Sequence, residues 1–440
     1  MRCVYMYTNA VTTTSLLNKD EYNSVYLLRN TLGNLSYAID NLKNPILNLS
    51  EQSREHLSFS QKVAIENSFS LRTIKLRQQL ATLKKQFTMP DHIILRNLDS
   101  IKLQLQNLRN EYNKSEMGFG YYVDLLHTRS LRDMGKIIKG YDHLAKLTLK
   151  IFLTRLGYSL PEVVVYIEQF GDGAAIMRAD ISLWDRIRNP CAVIKMPQSN
   201  LGIPRSSIFH EAGHQIGSIT GLNKETALLL YRTIISHKGS KTLARYWKFC
   251  ATEIIADHIA THLTNWIGAL TMFNIYSGAA GKMFSIIPGD THLMGYLRII
   301  CNIESCNQSF GNGYWNKFKN AVNILYPLKN ASTYSKRIIY ESLPLIPLIC
   351  KTLSKTKLIS LKGKSLEDVF PMQLASPHSI KKLLTFDLSH FSVDMNTMVK
   401  YPIHTMVAFG TIQMLGKKSI IWITDEMSKW LAKLGEVEVK

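Results

Sequence analysis

The chain is 440 residues long, 46% hydrophobic and 20% charged, with a formal net charge of +20. That length leaves room for a large buried core and two or three domains, which excludes a mini-protein held by disulfide or metal staples. The composition is that of a soluble globular protein, and no near-continuous apolar run of about 20 residues offers a transmembrane helix.

Met1 to Asn9 holds one basic residue but no long apolar core and no small-residue cleavage site, so no secretory signal is read there and the cytoplasm is the expected compartment. Cys3, Cys191, Cys250, Cys301, Cys306 and Cys350 are too sparse for a disulfide framework and form no CxxC pair, so they read as free thiols. The positive charge would attract nucleic acid, an anionic membrane surface or acidic partners. Its basic residues are spread along the chain, with short clusters such as Lys84-Lys85 and Lys381-Lys382. No nucleic-acid-binding motif accompanies them, so that partner has no support beyond charge.

From the N-terminus, Val25, Leu28, Leu32, Leu35, Ile39 and Leu42 recur at alternating spacings of three and four. Ile94, Leu98, Ile101, Leu105, Leu108 and Tyr112 do the same after a break at Pro90-Asp91. This is the pattern of amphipathic helices in a bundle or coiled coil, and Ser58 to Phe87 suits a third such helix. Residues 1–115 therefore read as a helical region, either a support for the rest or an arm for a helical protein partner or self-association.

Gly118-Phe119-Gly120 marks a shift into a central region, 116–330. After a helical stretch to about Leu156, Val163 to Ile167 and Ala174 to Ile181 read as strands of a hairpin turning at Gly171-Asp172-Gly173. Ala192 to Met196, closed by Pro197, reads as an edge strand with free backbone groups to which a further strand would add antiparallel. Pro204, Ser206 and Ser207 open a helix running past His214 towards Gly221. Asn223 is read as the cap of a second helix, and Ser240 as the cap of a long third one carrying Trp247, Phe249, Ile254, Ile255 and Ile259. Helices follow around His292 to Cys301 and Tyr314 to Leu325, and residues 331–440 read as a helical C-terminal region. The expected fold class is α+β, mainly helical, with one small β-sheet.

The chemistry concentrates in His210-Glu211-Ala212-Gly213-His214. Residues four apart share a helical face, so the two imidazoles can reach one metal ion, and Glu211 can take a proton from the attacking water. In a chain with 13 histidines the pattern arises by chance with a probability on the order of 0.01 to 0.02. A third histidine six residues on is missing: the glycine of HExxHxxGxxH is present as Gly217, but Thr220 stands at the last position. Further along, Glu253 and Asp257 lie four apart, Glu253 to complete the zinc sphere and Asp257 to hold an imidazole. Ala251, Ala256 and Ala260 would let their helix approach the first. His258 and His262 are rival third ligands, on other faces of that helix. In Asp290 to Arg298, the side chains of His292, Tyr296 and Arg298 are candidate donors to the negative charge that develops on a carbonyl oxygen.

These residues together resemble the gluzincin metallopeptidases, in which HExxH is followed on a separate helix by ExxxD. The resemblance covers about 150 residues, Pro161 to about Gly313. It implies a zincin-like domain with one Zn2+ held by His210, His214 and Glu253. Glu211 would be the general base, Asp257 would support a ligand, and an edge strand would hold the peptide or protein substrate. The alternative is a zinc-binding scaffold without turnover that binds a partner through its helical arm.

Overall fold

The computed structural model describes residues 19–42, 44–131, 133–168, 173–384 and 394–438. The Met1 to Asn9 segment with Cys3, and Gly171-Asp172 of the expected turn, lie outside them. The chain is mainly helical with one three-stranded sheet. Among the described residues no helix is long and apolar enough to cross a membrane, and the five cysteines are free thiols.

Three long helices, Lys19–Asn41, Phe59–Gln86 and Leu98–His127, form the N-terminal arm. The apolar positions at three and four spacing turn inward as expected: Val25, Leu32, Leu35, Ile39, Ile101, Leu105 and Leu108 share a core with Leu76, Leu80 and Leu83. Each fully buried leucine or isoleucine contributes about 1.5–3 kcal/mol of transfer free energy. The third helix continues through Gly118 and Gly120 to His127, so that Gly-Phe-Gly stretch breaks nothing. Glycine lowers helix propensity by only about 1 kcal/mol, and tertiary packing offsets it here.

Strands β1 (Glu162–Glu168), β2 (Ala175–Met177) and β3 (Cys191–Pro197) pair in the order β1-β3-β2. The expected hairpin of the first two strands is not formed. Instead β3 lies between them, parallel to β1 and antiparallel to β2, so Ala192 to Met196 is a central strand and not the edge. The reason is in the burial. Val163, Val165, Ile167, Ala192, Ile194 and Met196 face the main helical core, while Val164, Cys191 and Val193 face the base of the arm with Phe69 and Tyr122. A strand apolar on both faces belongs in the middle of a covered sheet. Pro197 sits in the last pair of the ladder, opposite Glu168.

The motif helix, Ser207–Thr220, packs on β2, β3 and the helix Met134–Leu153. Asp180, just after β2, accepts hydrogen bonds from Gln215 (2.8 Å) and Ser218 (2.6 Å) and so ties the helix to the sheet. The helix ends at Gly221, whose φ of +80° suits glycine. That residue also starts the next helix, Leu222–Ser236, so Asn223 is not its cap. Ser240 does cap its helix, accepting from the Leu243 N–H at 3.1 Å. The long third helix is in fact two, Lys241–Phe249 and Ala251–Thr264, with a break at Cys250 that re-aims Glu253. The C-terminal helices, among them Ile346–Lys355 and Pro402–Met414, close the same core.

A buried ionic hub joins arm, sheet and core. Asp142 accepts from Arg129 (2.8 and 2.9 Å), from Gln61 (3.0 Å) and from the Val165 N–H (2.6 Å). Gln61 also closes the capping box of its own helix with Ser58. Removing one partner of a buried pair strands the other charge, at about 3–5 kcal/mol. Arg129→Ala is therefore expected to lower unfolding stability by that amount in a urea titration, and a change under about 1 kcal/mol would contradict the role of the hub.

Candidate metal centre

The motif helix and the Glu253 helix (Ala251–Thr264) cross at Gly213 and Ala256. A Cβ at Gly213 would lie 3.0 Å from the Ala256 Cα, so the small residues at both positions permit the approach. The crossing brings three donors together. His210 Nε2 and His214 Nε2 are 3.1 Å apart, and each lies 3.3 Å from one oxygen of Glu253. Donor atoms around a tetrahedral metal ion bound at about 2.0–2.1 Å lie about 3.3 Å apart. The three side chains therefore form a buried group that could hold a metal ion. Glu253 Oε2 is buried without a hydrogen-bond partner, which a cation would satisfy.

The electrostatics are those of a paired cluster. Burial by itself would lower the His210 pKa, but Asp257 and Glu253 outweigh it and raise it to about 10. Burial would raise Glu253, yet both imidazoles hold it far below the usual carboxylate range. Asp257, also buried, is brought down to about 2 by Arg298 and His210. Glu211 is different: burial dominates and raises its carboxyl above the usual glutamate value, against the pull of His210 and His214. A metal ion would bind the neutral imidazoles and the ionised carboxylate, so its binding is coupled to proton release.

Behind the ligands stands a second layer. Asp257 Oδ1 lies 2.9 Å from His210 Nδ1, off the axis of a well-aligned hydrogen bond. The same carboxylate is clamped by Arg298, whose Nε and Nη2 donate at 2.6 and 2.7 Å. Arg298 also donates to the Tyr276 hydroxyl at 3.0 Å. Arg298 is thus the clamp of Asp257, buried in its ion pair, and not a free donor to a carbonyl oxygen. Tyr276 was not singled out from sequence, because no motif spacing connects it to the site.

His292 reaches the cluster, with Nε2 3.4 Å from Glu253 Oε2, and remains half exposed. Its Nδ1 contacts Asp290 Oδ1 at 2.5 Å, and Asp290 also accepts the His292 backbone N–H. Tyr296 is placed elsewhere: its hydroxyl donates to Asn323 at 3.0 Å and its ring packs on Phe284. His258 and His262 point to the opposite side of their helix. His258 Nε2 pairs with the Ser354 hydroxyl at 2.8 Å, and His262 Nδ1 lies 3.1 Å from the Phe370 carbonyl oxygen. Buried and hydrogen-bonded to these groups on the far side of the helix, they are core histidines and not third ligands.

No family model, curated protein or solved structure compared with the chain matches it.

If Asp257 supports the His210 ring, Asp257→Ala is expected to weaken metal affinity by about 10 to 100-fold. A chelator competition titration checks this, with the exposed Lys241→Ala as control. Equal affinity in both variants would remove Asp257 from the site.

Proposed function

We propose that the chain is a zinc-dependent metallopeptidase with a zincin-like central domain. The observation that carries this reading is the tetrahedral spacing of His210, His214 and Glu253 beside the buried carboxyl of Glu211. Two imidazoles and one carboxylate form a donor set suited to zinc, and three protein ligands leave a fourth position open. When bound, the ion would polarise a substrate carbonyl and make a water a strong nucleophile near neutral pH.

The chain's own residues supply the rest. Glu211, whose raised pKa makes its carboxylate a better base, takes the proton of the attacking water and delivers it to the departing nitrogen. His292, oriented by Asp290, stands where a donor can meet the negative charge of the tetrahedral carbonyl carbon's oxygen. Asp257 and Arg298 keep the His210 ring in register. For the peptide backbone, β2 replaces β3 as the edge strand: among the described residues it pairs on one side only, and it packs on the motif helix. A substrate strand would extend it through main-chain hydrogen bonds.

Glu211→Gln keeps the shape and removes the base, so hydrolysis of unfolded protein substrates is expected to vanish while zinc content is retained. Retained hydrolysis would sink the enzyme reading. If wild type holds zinc yet cleaves nothing, the zinc-binding scaffold is the better account. His292→Ala is expected to lower kcat by about 10²–10³-fold with KM little changed, as for loss of one oxyanion donor. Steady-state kinetics on a peptide substrate read both.

A further inference from the structure

Beyond the C-terminal end of the motif helix, residues 356 to 364 fold against the helix Leu222–Ser236 and border a groove of about 740 Å³. Lys224, Leu228 and Arg232 follow one another at intervals of four, so they line one stripe of that helix, about 12 Å long at 1.5 Å per residue. The facing wall is a turn closed by the Leu358 N–H to the Lys364 carbonyl (3.0 Å), and it presents Lys357, Ile359 and Lys362. Ile359 is 88% exposed and Leu228 47%. Each wall therefore offers an apolar side chain between two cations.

The carboxylate on the groove wall, Glu225, forms no ion pair with these four cations and leaves the lining net positive. Glu225 accepts the N–H groups of Ile359 (3.0 Å) and Ser360 (2.8 Å), which pins the turn to the helix. Asp368, whose field reaches Lys357, is engaged in the capping box of Ser365. Among the described residues Lys224, Arg232, Lys357 and Lys362 form no ion pair, and Lys362 lies over the Tyr158 ring at 4.9 Å. Four unpaired cations around two exposed aliphatic side chains form a surface complementary to acidic groups interleaved with apolar ones.

We infer that this groove binds an acidic segment of another polypeptide in extended form. Glutamate or aspartate side chains meet the four cations, and an apolar side chain sits between Leu228 and Ile359. A 12 Å stripe matches about four extended residues. Single-stranded nucleic acid is the weaker fit, since it needs open aromatic faces for base stacking, and Tyr158, the aromatic on the groove wall, is covered by Lys362. The binding requires neither metal nor hydrolysis.

The test is fluorescence anisotropy with a labelled octapeptide of alternating glutamate and leucine, on the full chain carrying Glu211→Gln so that the peptide stays intact. Saturable binding is expected at about 50 mM salt, weakened about tenfold or more at about 300 mM. The exposed double reversal K224E/K357E is expected to weaken it about tenfold and to gain binding of the matching lysine–leucine peptide. I359D is expected to weaken it with an unchanged unfolding temperature, which separates loss of contact from loss of fold. Absent saturable binding, equal affinity in wild-type and reversed grooves, or tighter binding of a labelled oligothymidylate at these cations would each overturn the inference.

Discussion

The candidate site depends on one close approach, that of Gly213 to Ala256. The imidazoles of His210 and His214 stand on one helix and the carboxylate of Glu253 on another, and their donor atoms meet at 3.1–3.3 Å because no side chain separates the two backbones. A Cβ at position 213 would lie 3.0 Å from the Ala256 Cα, closer than ordinary van der Waals contact, so the helices would have to part by a few tenths of an ångström. Both helices are held from behind: the first by Asp180 and the sheet, the second by the helix Gly295–Phe310 and the C-terminal helices. The two unassigned positions of the motif, Ala212 and Gly213, are thus set by packing: Ala212 is fully buried in the core.

Charge is handled in the same way throughout the molecule. A buried ion is costly unless it is paired and hydrogen-bonded. Arg129 with Asp142, Arg72 with Asp185 and Arg298 with Asp257 each meet that condition with two or more polar contacts. The first joins the end of the arm to β1, and the second joins the arm to the segment between β2 and β3. The third differs in purpose, because its carboxylate also faces a ligand-type imidazole, so the arginine sets how strongly Asp257 can act on His210. Glu211 stands apart as a carboxyl whose burial dominates and keeps its affinity for a proton high, against the pull of His210, His214 and Arg298.

The histidines show how a shared helix divides its work by face. On Ala251–Thr264, Glu253 and Asp257 turn to the motif helix, while His258 and His262 turn to Ser354 and the Phe370 carbonyl. Helical geometry separates residues 257 and 258 by about 100°, so neighbours in sequence serve different surroundings. The C-terminal helices therefore support the centre through the polar floor they lend to this second face.

The sequence by itself determined the helical character, the arm's apolar seams, the capping serine Ser240, and the grouping of His210, His214, Glu253 and Asp257. These are local matters: periodicity, caps and i, i+4 spacing act over a turn or two of chain. Only the tertiary structure decided strand order, because a strand apolar on both faces has the same pattern whether its neighbours are parallel or antiparallel, and the wish to cover both faces moved β3 to the centre. It also decided that Cys250 breaks a helix, that Arg298 serves Asp257, that Tyr296 turns to Asn323, and that Asp290 holds His292. Those outcomes depend on which surfaces meet across long stretches of chain, and no spacing within a single helix encodes that meeting.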